Sequence, residues 1–159
     1  MNLRRSVRAV MVDEQRRVLL VNFDWPGLGI EGGFWACPGG GLEAGESDLE
    51  GLARELAEEV GFELGEASGP IWLKEDVWPF GAWDGQADAF YLVLTRHFTP
   101  LPGLSAEVLA AERVHGMRWF APAEVEAAKV TFSPGGLPAL LASLWESGVP
   151  AEPVRLSGH

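Results

Sequence analysis

Three glutamates, Glu55, Glu58 and Glu59, stand close together in a stretch of the sequence that is rich in acids. Their spacing would place them on one face of a helix, because residues three or four apart are neighbours on a helical surface. Two carboxylates about 6 Å apart repel by roughly 3 kcal/mol at a partly buried site, and by far less in open water. The acids therefore form either a solvated helix face or a site for Mg²⁺ or Mn²⁺, which prefer carboxylate oxygens.

A helix is predicted from Ser47 or Asp48 to Val60, because either polar residue can cap its start and Gly61 can end it. Gly51 lies on the acid face, where it would leave a gap for a bulky ligand. At about 100° per residue, one apolar arc would face the core, and it contains Leu49, Leu52, Ala53, Leu56 and Val60. The glycines at 39–41, just before the helix, predict a loop whose carbonyls can bind a metal and whose N–H groups can bind a phosphate.

The stretch from Gly40 to Phe62 resembles the Nudix box, whose pattern is G-x5-E-x7-R-E-U-x-E-E-x-G-U, with U a bulky aliphatic or aromatic residue. Its specified positions are filled by Gly40, Glu46, Arg54, Glu55, Leu56, Glu58, Glu59, Gly61 and Phe62. The segments RVLLV, FWACPGGG and MRWFAPAEVE resemble other elements of the family, so that the resemblance covers most of residues 7–128. It implies an α/β/α sandwich with a mixed β-sheet, which hydrolyses a nucleoside diphosphate linked to another moiety with Mg²⁺ or Mn²⁺.

The resemblance also implies a role for each matching residue. Glu58 and Glu59 would be the main metal ligands, and the Gly40 region would supply a backbone carbonyl. Glu55 would be either a ligand or the base that orients the attacking water. Arg54 would form the ion pair that holds Glu55 in place. Pyrophosphate cleavage needs charge neutralised on the bridging oxygens and a nucleophilic water, and divalent cations supply both.

Further acids are assigned by the same resemblance. Glu46 would lie behind the metal ligands, and a later loop would contribute another acid, for which Glu112 is the first candidate and Glu107 the second. Two alternatives to an enzyme stay open. One is a Nudix-fold sensor that binds a nucleotide without hydrolysing it, and the other is an acidic helix that a cation merely stabilises.

Alternating and apolar segments on both sides of the central helix predict one mixed α/β domain over residues 1–159. Strands are predicted at 8–13 and 17–23, in FWACP, GPIWLKEDVWPF and QADAFYLVLTRHF, and in GMRWFAP. Short helices are predicted in SAEVLAAE and AEVEAAK, and an amphipathic helix at about 135–147. The final thirty residues contain no motif.

The composition limits the partners and the compartment. The net charge of −11 disfavours nucleic-acid polymers and membranes as partners, because an acidic surface repels phosphates. The single Cys37 excludes an internal disulfide and indicates a cytoplasmic protein, and the first apolar run is too short for a signal peptide. Many proteins of the resembled family pair as dimers, so a homodimer stays open.

The substrate side of the site is predicted from aromatic and basic residues. Phe23, Trp25, Phe34 and Trp78 lie at predicted strand ends or in loops, where an aromatic ring can stack on a nucleobase. Arg8 opens the first predicted strand and could reach a phosphate. The resemblance to the Nudix family implies a small nucleotide as the substrate, such as a nucleoside triphosphate or an ADP-ribose-like sugar nucleotide, and these residues leave open which one.

Overall fold

The computed structural model describes residues 1–24 and 32–156. Its strands are β1 (Leu3–Val12), β2 (Val18–Phe23), β3 (Phe34–Ala36), β4 (Gly39–Gly41), β5 (Ser68–Phe80), β6 (Trp83–Leu94), β7 (Val114–Phe120), β8 (Thr131–Ser133) and β9 (Val154–Leu156). Its helices are α1 (Asp48–Val60), α2 (Ala106–Ala111), α3 (Pro122–Ala127) and α4 (Leu137–Ser147).

The strands form one mixed β-sheet in the order β8-β3-β2-β1-β6-β5-β9, with β4 also pairing with β1 and β7 with β2. Three pairs are parallel, namely β1 with β6, β3 with β8, and β5 with β9, while the other pairs are antiparallel. The longest parallel pair, β1 with β6, aligns Leu3 with Gly85 and Val12 with Leu94. The predicted mixed sheet is therefore confirmed.

Successive side chains of β1 point to opposite faces of the sheet, as in any strand. Val7, Ala9 and Met11 pack with α1 in one apolar cluster. Val10 and Val12 pack in a second cluster, which contains residues of α3 and α4. Helices therefore cover both faces, and the predicted α/β/α sandwich is confirmed. No helix within residues 1–24 and 32–156 has the length and apolar character needed to cross a bilayer.

The glycines at 39–41 form a strand instead of the predicted loop. They run antiparallel to β1, and Gly40 pairs with Val7. Gly39 has a φ of 144°, and a Cβ atom there would lie only 2.0 Å from the carbonyl oxygen of Val7. Glycine is therefore what allows β4 to approach β1 so closely.

Two other short strands lie in segments where the sequence predicted none. These are β8 and β9, and each contains three residues that pair in parallel with a distant strand. Three residues are too few to show a hydrophobic period. The predicted helix at 135–147 corresponds to α4, which begins two residues later.

The start and end of α1 follow from its caps. Ser47 and Glu50 form a capping box, and Gly61 ends the helix with a left-handed φ of 71°. The apolar arc is correct for Leu52, Leu56 and Val60, but Leu49 is 48% exposed because the first turn lies outside the apolar cluster.

The gap predicted at Gly51 is not open to a ligand. A Cβ atom on Gly51 would lie 2.1 Å from Cδ2 of Leu42. The missing side chain therefore makes room for Leu42, which packs against the α1 cluster.

Candidate functional site

Glu55, Glu58 and Glu59 differ in burial, which excludes a uniformly solvated helix face. Glu59 is only 4% exposed, whereas the side chains of Glu55 and Glu58 are 15% and 38% exposed. The backbone N–H of Gly39 donates to Oε1 of Glu59 at 3.2 Å. β4 therefore buries the last acid of the group against the sheet.

Arg54 connects the acids with the chain that leads into α1. Its Nε and Nη2 atoms donate to Glu46 at 2.8 and 2.9 Å, and Nη2 also donates to the carbonyl oxygen of Gly41 at 3.1 Å. Its Nη1 atom donates to Glu55 at 3.2 Å and to Glu58 at 3.3 Å. Hydrogen bonds from Arg54 lower the pKa of Glu46 to about 2, and the same contacts raise the pKa of Arg54. Both groups are therefore ionised at neutral pH.

Two acids have raised pKa values. Burial raises the pKa of Glu59 to about 8; the charges of Glu55 and Glu112 act in the same direction, while Arg8 and the Gly39 N–H oppose it. Burial also raises the pKa of Glu55, against the opposing charges of Arg54 and Arg8. Glu112 is exposed at the end of α2, yet close enough to Glu59 to act on it electrostatically.

The residues around Gly40 suit a divalent cation in their chemistry. A Cβ atom on Gly40 would lie 2.6 Å from Oε1 of Glu55, so only glycine leaves room for this carboxylate against β4. Carboxylate and carbonyl oxygens are the donors that Mg²⁺ and Mn²⁺ prefer. A buried carboxylate beside other acids, as at Glu59, is the kind of group that a cation stabilises.

The described part of the chain contains no group of three Asp, Glu, His or Cys side chains arranged to hold a metal ion. Arg54 hydrogen-bonds to both Glu55 and Glu58, while Glu59 accepts from the backbone of β4. Glu107, the second candidate for an additional acid, is exposed in the first turn of α2.

Arg8 and two of the predicted aromatic residues come together beside the acids. Nη1 of Arg8 donates to the carbonyl oxygen of Cys37 at 3.1 Å, and Nε lies 3.7 Å from Oδ1 of Asp88. The guanidinium carbon lies 5.9 Å from the ring centroid of Phe23. Phe23 in turn stacks on Phe34, with centroids 5.8 Å apart and planes inclined by 25°. The charge of Arg8 acts on Glu55 and Glu59, so this cation lies near the acids and the aromatic pair lies beside the cation.

Trp78, another of the predicted aromatic residues, is not part of this cluster. The register pairs Arg8 with Phe90 and Phe90 with Trp72, so Trp78 lies six residues further along β5. At about 3.3 Å per residue, this separation is about 20 Å along the strand. Trp78 is 44% exposed. Trp25 lies outside the described residues.

The sequence did not identify Asp88 as a site residue. It is 7% exposed and lies on β6, where Gln86 donates to its Oδ1 at 3.0 Å. The register places Ser6 and Lys74 on either side of it, and the Ser6 hydroxyl is buried without a hydrogen-bond partner in the described part of the chain. The available signal was a charged residue within an otherwise apolar strand pattern, QADAFYLVL.

Nδ1 of His97 lies 3.0 Å from Oδ2 of Asp13, and its ring packs on the Trp119 ring. Burial raises the pKa of Asp13, but hydrogen bonds from Arg17, Gln15 and His97 outweigh it, so its pKa lies below the ordinary value. This contact explains the position of His97 without a catalytic role.

The NUDIX domain family model matches residues 2–140 of the chain. The chain is also 40% identical over 79 residues to an RNA pyrophosphohydrolase from Gluconacetobacter diazotrophicus, covering 46% of this chain and 47% of that protein. An RNA pyrophosphohydrolase from Helicobacter pylori is 40% identical over 77 residues, covering 44% of this chain and 49% of that protein. The chain therefore spans about half the length of the curated relatives it matches.

Solved structures share the fold at low sequence identity. The NUDIX domain of Shewanella oneidensis NrtR, complexed with ADP ribose, has a TM-score of 0.65 at 20% identity and covers 92% of this chain and 90% of that one. The mutator MutT protein of Bacillus halodurans has a TM-score of 0.65 at 19% identity and covers 98% and 90%. These likenesses show the fold alone.

Proposed function

Because the chain belongs to the NUDIX domain family, we propose that it is a pyrophosphohydrolase that uses Mg²⁺ or Mn²⁺. Its substrate is a nucleoside diphosphate linked to another group, such as a nucleoside triphosphate or an ADP-ribose-like sugar nucleotide. The observation that carries the proposal is the packing of the Glu55 carboxylate against Gly40, beside the buried Glu59. A solvated acidic helix would need neither the glycine nor the burial.

Glu58 and Glu59 are the proposed main metal ligands, with Glu55 and the Gly40 carbonyl beside them and Glu112 as an additional acid. A bound divalent cation neutralises charge on the diphosphate oxygens and makes a water molecule more nucleophilic. The buried position of Glu59 supports this assignment, because burial of a carboxylate beside other acids is costly without a nearby cation.

Arg54 and Glu55 have separate proposed roles beside the metal ligands. Arg54 is tied to Glu46 by two hydrogen bonds, and its Nη1 atom holds the Glu55 carboxylate at 3.2 Å. Glu55 then binds the cation or accepts a proton from the attacking water. Its raised pKa supports a role in accepting a proton, since a general base works best when its pKa approaches the working pH.

Arg8 and the aromatic pair are the proposed contacts for the rest of the substrate. The Arg8 side chain is 20% exposed and close enough to Glu55 and Glu59 to act on both electrostatically, a position that suits a phosphate ligand. Phe34 is half-buried and has Phe23 stacked behind it. This arrangement supports stacking of a nucleobase on Phe34.

The test is a panel of nucleotides incubated with the protein and Mg²⁺ or Mn²⁺, with the products identified. We expect turnover of at least one diphosphate-containing nucleotide, loss of turnover on chelation, and strong loss in Glu58→Gln and Glu59→Gln. Glu63→Gln removes an exposed acid just beyond α1 and is the matched control. No turnover by the wild type, or full activity in both α1 variants, would refute the proposal.

Nucleotide binding that survives chelation without any turnover would instead support the alternative of a silent sensor. If a cation raises the melting temperature and nucleotides raise it no further, the result would support the other alternative, an acidic helix that a cation merely stabilises.

The names of the curated relatives favour a second candidate substrate, the triphosphorylated 5′ end of an RNA. The net charge of −11 works against contacts with a long RNA backbone, because each phosphate would meet an acidic surface. A direct comparison of a nucleoside triphosphate with a short 5′-triphosphorylated RNA separates the two. If kcat/KM is higher for the RNA, the RNA 5′ end becomes the proposed substrate in place of the small nucleotide.

The proposed compartment is the cytoplasm, which the single free cysteine supports. A homodimer stays a prediction, which a measurement of the molar mass of the purified protein by light scattering tests.

A further inference from the structure

The sheet face that carries Arg8 changes from apolar to polar along its length. Towards the end of β1, Val10, Phe90 and Trp72 belong to the apolar cluster under α4. Two residues before Arg8 on β1, the same face carries Ser6, which is aligned with Asp88 on β6 and Lys74 on β5. All three residues are buried. Buried charges are costly unless they are paired or have a function. The polar row therefore calls for an explanation.

Arg8 lies at the boundary between the two regions, and several contacts restrain its guanidinium. Nη1 donates to the Cys37 carbonyl oxygen, Nε faces Oδ1 of Asp88, and the ring of Phe23 lies alongside. Gln86 restrains the same Asp88 oxygen by its own hydrogen bond. A guanidinium has five N–H donors, so these contacts leave several of them for a further acceptor.

We propose that Asp88 is the positioning residue that aims Arg8 at the phosphates of the substrate. The inference rests on the proposed function and adds to it a residue on a strand outside the family motif. The long side chain of Arg loses considerable rotamer entropy on ordering, and a fixed carboxylate removes that cost before the substrate binds. Asp88 itself touches no substrate.

Kinetics on the substrate found in the nucleotide panel provide the first test. Asp88→Asn keeps the shape but removes the charge that orients Arg8, so we expect KM to rise about tenfold, with kcat within about twofold of wild type. Arg8→Gln removes the aimed group itself and should raise KM at least as much. Asp88→Glu retains the charge and should recover part of the loss.

Asp76→Asn is the matched control. Asp76 is 9% exposed, lies on the same face of the sheet as Asp88, and pairs with Lys74 at 2.7 Å. Its replacement removes a buried carboxylate of the same kind, so we expect a similar fall in melting temperature with an unchanged KM. An equal rise of KM in Asp76→Asn would mean that Asp88 acts only through stability, and would overturn the inference.

The side-chain Nε–H signal of Arg8 in nitrogen-15 NMR provides a second test that needs no turnover. We expect an ordered signal in the wild type and in Asp76→Asn, and a mobile one in Asp88→Asn. Unchanged order of Arg8 in Asp88→Asn, or an unchanged KM in that variant, would contradict the inference. A wild type that hydrolyses nothing in the panel contradicts the hydrolase proposal instead, and the NMR experiment still decides whether Asp88 holds Arg8.

Discussion

Replacing Gly40 by Ala should move the Glu55 carboxylate without removing its charge. The new Cβ atom would lie 2.6 Å from Oε1, 2.8 Å from Cδ and 2.9 Å from Oε2 of Glu55. Ordinary van der Waals contact begins at 3.4 Å, so the carboxylate must retreat by about 0.8 Å. The contacted atoms are the far end of a flexible side chain, so the side chain moves and β4 stays in place.

The expected consequence is a loss of activity with little loss of stability. A displacement of about 1 Å at a reacting centre can cost about 10²-fold in rate, so we expect kcat of Gly40→Ala to fall by that order. Gly40 does not have a positive φ, so Ala is compatible with its backbone. The smaller entropy of the unfolded chain then offsets the local strain, and we expect the free energy of unfolding to stay within about 1 kcal/mol of wild type.

The assay combines turnover of the substrate found in the panel with urea unfolding. Gly65→Ala is the matched control, because a Cβ atom there meets nothing within 4 Å. Wild-type kcat in Gly40→Ala would show that the position of Glu55 against β4 does not matter for the reaction. Loss of more than about 3 kcal/mol of stability would show that β4 and not Glu55 gives way.

Two substitutions and one labelling experiment test other parts of the structure. Asp13→Asn should lower the free energy of unfolding by about 2 kcal/mol at pH 7, measured by urea unfolding. The pKa of Asp13 is lowered in the folded protein, so its carboxylate stabilises the fold above the pKa of the unfolded state. The difference in stability between the variant and wild type should therefore shrink as the pH falls below about 4. Gly61→Ala should lower the free energy of unfolding by at least about 1 kcal/mol, since φ is 71° and the new Cβ would lie 2.0 Å from the Leu101 carbonyl oxygen. Cys37 is fully buried, which raises its pKa to about 12, so a thiol reagent at pH 8 should react only as fast as the protein unfolds. A stability difference in Asp13→Asn that does not change with pH would contradict the first expectation. An unchanged unfolding curve of Gly61→Ala would contradict the second, and rapid labelling of Cys37 would contradict the third.

The helix that carries the acids was predictable because its determinants are local. Ser47 and Gly61 lie at its ends as caps, and the spacing of Leu52, Leu56 and Val60 defines its buried face. These features follow from helix geometry and need no knowledge of the partner strands. Leu49 has the same spacing but is exposed. The prediction was wrong there because helix periodicity does not tell where the sheet beneath the helix ends.

The burial of the acids was not predictable, since it depends on contacts between distant segments. Glu59 is buried because β4 pairs with β1 and brings the Gly39 N–H to it. The same holds for Arg8 and Asp88, which meet only because β1 and β6 pair in parallel. A single sequence carries no record of which strands pair. The extent of one domain over residues 1–159 stays a prediction.

The central claim is that the acids of α1 bind the divalent cation on which hydrolysis depends. A titration of Mn²⁺ into the protein, followed by electron paramagnetic resonance of the free ion, tests it most directly. We predict saturable binding in the wild type and in Glu63→Gln, and affinity at least about tenfold weaker in Glu59→Gln. Equal Mn²⁺ affinity in the wild type and in Glu59→Gln would contradict the account.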